Sequence, residues 1–70
     1  MEYETEMVLV GNKDRGVFET FKTYKQAVIG AKKDSKLPNV KEVILYVYKD
    51  GEQITFDSYV EGKKDFSMYS

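Results

Sequence analysis

The side chains able to do chemistry in this 70-residue chain are carboxylates, lysines, serines and tyrosines, because histidine and cysteine are both absent. Their absence removes the usual general base near neutrality and the usual thiol nucleophile. It also removes the common zinc, haem and iron–sulfur ligand sets and any disulfide framework. The carboxylates recur in pairs, Glu4 with Glu6, Asp50 with Glu52 and Asp57 with Glu61. An i, i+2 pair such as Glu4 and Glu6 is ordinary on a solvated strand face, and Asp50 and Glu52 bracket a turn. None of the pairs has a spacing specific to glycoside or metal chemistry. The residue types therefore point away from an enzyme and toward a binding protein with no cofactor and no metal.

Two groups of residues remain as candidates for binding. Ile44, Tyr46, Tyr48 and Tyr59 lie in the stretch Glu42 to Val60, where two alternating runs are joined by Asp50-Gly51. Aspartate-glycine between such runs is a strong hairpin signal, since both central residues of a type I′ turn need positive φ. With that turn, Lys49 faces Glu52, and a regular ladder sets Val47, Leu45 and Val43 against Ile54, Phe56 and Ser58. The same ladder sets Tyr48, Tyr46, Ile44 and Glu42 against Gln53, Thr55, Asp57 and Tyr59 on the opposite face. Tyrosine offers a rigid contact area with a hydroxyl at its tip, so this second face has the composition of a recognition patch for another protein or a second copy of the chain. The competing explanation is that the C-terminal tail, or Tyr3 and its strand, covers it.

The second group is basic. Residues 13–41 hold eight lysines and arginines against three carboxylates, whereas the rest of the chain holds three against nine. Lys13 and Arg15 lie between Gly11 and Gly16 in a turn cluster. That cluster lacks the spacing of a phosphate loop but permits a backbone nest for an anion. On a helix, Lys25, Lys32 and Lys33 surround Ile29, opposite the apolar stripe. These residues form a secondary contact surface, or, in an alternative reading, an anion or nucleic-acid site. The tyrosine face is a poor platform for nucleic acid, because Glu42, Glu52, Asp57 and Glu61 would repel phosphate. A third reading joins tyrosine stacking with basic phosphate contacts to hold a small nucleotide at a dimer interface.

Such side chains need elements to position them. Residues 3–10 alternate as a strand with Tyr3, Thr5, Met7 and Leu9 on one side. Residues 17–22 form a second strand after the Gly11–Gly16 turn. Thr23-Tyr24-Lys25-Gln26 has capping-box spacing, and Tyr24, Ala27, Val28 and Ala31 make the narrow apolar stripe of a helix. The helix should stop near Asp34 or Ser35, ahead of Leu37-Pro38. The predicted architecture is α+β, in the order ββαββ. It comprises a four-stranded, mostly antiparallel sheet with one helix on one face, spanning residues 1–62. The tail, 63–70, carries Phe66, Met68 and Tyr69 and is suited to folding back over the open face. A domain this small without staples often gains burial by self-association, which keeps a homodimer in view. No segment approaches the length of a membrane span and the first residues are acidic, so the expected location is the cytoplasm. Phages and mobile elements often encode small stand-alone modulators of this kind, an analogy that rests on size alone.

Overall fold

The computed structural model describes residues 1–11 and 16–65. They form strands β1 (Glu2–Leu9) and β2 (Gly16–Phe21), helix α1 (Tyr24–Asp34), and strands β3 (Val40–Lys49), β4 (Glu52–Val60) and β5 (Lys63–Asp65). The strands make one antiparallel sheet in the order β2-β1-β3-β4-β5, so the two hairpins join side by side through β1 and β3. This is a small α+β fold, with a fifth strand added to the four the alternation pattern predicts.

Local chemistry sets the element ends. Thr23 has extended φ and ψ of −130° and 153°, and its hydroxyl accepts from the Gln26 amide at 3.1 Å, capping the first turn of α1. At the other end Ser35 donates its hydroxyl to the Lys32 carbonyl and accepts from the Gly62 amide at 2.8 Å, tying the helix to the β4–β5 turn. Asp50 and Gly51 have φ of 53° and 81°, and Glu61 and Gly62 have 52° and 81°. Both links are therefore two-residue turns whose positive φ values suit the twist of the flanking strands. The second one delivers Lys63–Asp65 back along β4 as β5, beside the sheet edge and not across its face. The remainder of the tail, including Phe66, Met68 and Tyr69, lies outside the described residues.

The core lies between α1 and one face of the sheet. Ala27 and Ala31 pack on Val43, Leu45, Val47 and Tyr59, with Tyr3, Met7, Phe21, Val28 and Val40 around them. Small residues on the helix let it sit close, and Gly30 extends this: a Cβ there would meet the Phe21 ring at 2.8 Å. The β4 register departs from a regular ladder. Tyr48 pairs with Gln53 but Val47 pairs with Thr55, so Ile54 is an extra, bulged residue, 51% exposed. Beyond it every β4 side chain changes face relative to the regular pairing. Tyr59 faces Val43 under the helix, 2% exposed, and is not part of the tyrosine face. The physical gain is volume: without the bulge the small Ser58 would stand beside Val43, where the Tyr59 ring now fills the layer.

The same slip turns Asp57 toward the core side. There it accepts from the Tyr24 hydroxyl at 3.4 Å and pairs with Lys64 at 3.2 Å, so the buried carboxylate is partnered. Tyr24 in turn meets Tyr3 edge-on at 5.9 Å between ring centroids. Leu45 is wholly buried at the centre of this layer. Leu45→Ala should cost about 2–5 kcal/mol of unfolding free energy, and Thr23→Ala about 1 kcal/mol through the lost cap. Both losses are read as a lower midpoint in urea unfolding.

Candidate aromatic and acidic sheet face

The face of the sheet away from α1 is assembled by strand alternation from all five described strands. One row across it runs Phe18, Glu6, Ile44, Ser58 and Asp65, and the next runs Thr20, Glu4, Tyr46 and Phe56. Glu2, Tyr48 and Gln53 form the row beyond. Of the residues singled out from sequence, Ile44, Tyr46 and Tyr48 are brought together here, all half-buried. Tyr59 is on the other side, and the bulge substitutes Phe56, which no regular ladder would have placed beside Tyr46. Phe18 joins from β2 and is 57% exposed.

Carboxylates are interleaved with these rings. The Tyr46 hydroxyl donates to Glu6 Oε1 at 2.8 Å, and the Ser58 hydroxyl donates to Glu42 Oε2 at 2.9 Å. The Tyr46 and Tyr48 rings lie 6.3 Å apart at 41°. The Glu6 side chain also occupies the space above Gly16, where any Cβ would collide with it. Partial burial, the hydrogen bond to Glu6 and the charge of that carboxylate push the Tyr46 phenol up to about 12. Partial burial and the charge of Glu4 likewise raise the Tyr48 phenol. Both rings thus stay neutral donors throughout the physiological range. At one end of the face Glu2, Tyr3, Glu4, Thr20, Tyr48 and Gly51 line an open hollow of 260 Å³, with two carboxylates at its rim.

The basic group is elsewhere. Lys25, Ile29, Lys32 and Lys33 are exposed on α1, on the far side of the molecule from the tyrosines. Lys13 and Arg15 lie outside the described residues. The charge asymmetry along the chain therefore becomes a spatial one, with a lysine-bearing helix on one side of the sheet and Glu2, Glu4, Glu6 and Glu42 on the other. Among the described residues no group of three or more carboxylates could hold a metal ion, and no helix is long and apolar enough to cross a membrane.

Tyr46 should titrate by ultraviolet absorbance near pH 12, against an ordinary 10.0. Glu6→Gln should bring it down part of the way. Because the folded protein holds this proton more tightly than the unfolded chain, the stability it contributes is complete below pH 10.0 and is lost as pH rises toward about 12. Glu6→Gln should flatten that decline in urea unfolding measured across this range.

Comparison of the chain with protein-family models, curated proteins and solved structures finds no match, so the reading of this face rests on its own geometry and charge.

Proposed function

We propose that the chain is a small non-catalytic binding protein that docks a basic surface of another protein on its open sheet face. The observation that carries this reading is the interleaving of half-buried Ile44, Tyr46, Tyr48 and Phe56 with Glu2, Glu4, Glu6 and Glu42 on a face that α1 leaves uncovered. Clustered aromatic side chains supply contact area and hydroxyl donors, and the carboxylates select for positive charge and speed encounter. The hollow beside Tyr48, with Glu2 and Glu4 at its rim, is suited to a lysine or arginine head group.

The charge also argues against two other occupants. A second copy laid face to face would oppose like-charged glutamates, which costs affinity. A phosphate backbone would meet the same carboxylates. The lysines of α1, with Ile29 exposed among them, provide a second contact surface facing the opposite way.

The test uses immobilised protein and quantitative capture of partners at low and high salt. Tyr46→Ser with Tyr48→Ser should keep the fold at a lower urea midpoint and, under conditions where it is fully folded, lose its basic protein partner by at least about ten-fold, the scale of a central aromatic contact. Lys25→Glu with Lys32→Glu and Lys33→Glu should retain that partner. Retention by the tyrosine variant and loss by the lysine variant would move the site to the helix.

A further inference from the structure

The two edges of the sheet differ in how they are protected. On one side the described residues of β5, Lys63, Lys64 and Asp65, are all charged, which is how edge strands avoid pairing with other chains. On the other side β2 runs for six residues, Gly16–Phe21, with no lysine, proline or bulge among them, and no described strand pairs with its outer edge. Val17 and Phe18, 51% and 57% exposed, stand on opposite faces of that edge. An added strand would therefore find an apolar neighbour on both sides as well as free backbone groups.

Directly beside the edge, under the C-terminal turn of α1, is a hollow of 310 Å³ lined by Thr5, Met7, Val17, Phe18, Glu19 and Asp34. Its described ionisable groups are the two carboxylates. The negative end of the helix dipole adds to them. Met7 and Val17 line the same space, which matches a long aliphatic stem ending in a cation.

We propose that the outer edge of β2 binds an extended segment of a partner protein in which apolar and basic residues alternate. The segment adds as a sixth strand and places a lysine or arginine in the Glu19–Asp34 hollow. This rests on the reading of the chain as a protein-docking module and supplies the form and chemistry of what is docked. Main-chain hydrogen bonds to β2 give affinity, and the hollow gives side-chain selection. A second copy is the weaker occupant, because pairing β2 with β2 brings a second Glu19 and Asp34 to the same seam.

The experiment is an NMR titration of the whole chain with a capped synthetic peptide of alternating lysine and valine. Amide shifts concentrated in residues 16–21, slowed amide exchange in β2, and at least about ten-fold weaker binding to Glu19→Lys are the expected results. Equal binding of a peptide with N-methylated backbone amides, or with glutamate for lysine, would overturn the proposal. So would shifts confined to Tyr46 and Tyr48, no binding, or β2 protection that appears on concentrating the protein alone with doubling of its mass. The Tyr46→Ser, Tyr48→Ser variant should still bind the peptide at β2, so failure of the sheet-face site and failure of the edge site are read separately.

Discussion

A helix of eleven residues is about 16 Å long and about 10 Å across with its side chains, while five strands span about 20 Å between their outer axes. One such helix can roof only the middle of one face of this sheet. The apolar layer is correspondingly thin, built on two alanines from α1 and on Val43, Leu45, Val47 and Tyr59 below. Everything the helix does not reach must manage its own exposure. Asp57, Tyr24 and Lys64 close the β4 margin of the core with polar contacts, and the far face is left to tyrosines, phenylalanines and glutamates.

That far face is held in order by bonds between its polar and aromatic residues. The Tyr46–Glu6 and Ser58–Glu42 hydrogen bonds fix the carboxylates against the rings, and Gly16 makes room for Glu6 by having no side chain. A face whose rotamers are already fixed loses little side-chain entropy when something lands on it. The separation of charge has the same effect at longer range, since a molecule with acidic and basic sides is oriented by the field of a charged partner before contact.

Much of the fold was legible because its signals are local. Asp50-Gly51, the Thr23–Gln26 cap and the proline after Leu37 each act over a few residues, and the chain turns, starts and stops a helix at those places. The alternation of Tyr3, Thr5 and Met7 against Glu4, Glu6 and Val8 in β1 is legible too, although the strand ends at Leu9 and leaves Val10 in the turn. The bulge was not legible: Ile54 continues a regular apolar alternation, and only the packing of Tyr59 beneath the helix, a contact between distant segments, makes the slip worthwhile. Its consequence for the site is that a regular ladder puts Tyr59 beside Glu42 and Phe56 beside Leu45, whereas the fold puts Tyr59 beside the core residue Val43 and Phe56 beside Tyr46. The fifth strand is not legible in Lys63-Lys64-Asp65, whose residue types are depleted in strands. The signal that could have found it is Glu61-Gly62, a second acidic-glycine pair in the same role as Asp50-Gly51.

The side-by-side joining of the two hairpins also bears on how the chain reaches this state. β1 with β2, and β3 with β4 and β5, are built from neighbours in sequence and can close quickly around short turns. The seam between β1 and β3 joins residues as far apart as Glu2 and Tyr48, and it ties the two hairpins into one sheet. Closing that span restricts much of the chain at once, an entropy loss that grows with the length of the loop. Of the four strand pairings, this one therefore carries the largest loop-closure cost. The Glu6–Tyr46 bond crosses the seam, so the contact that orders the aromatic and acidic face forms only as the two halves become one sheet.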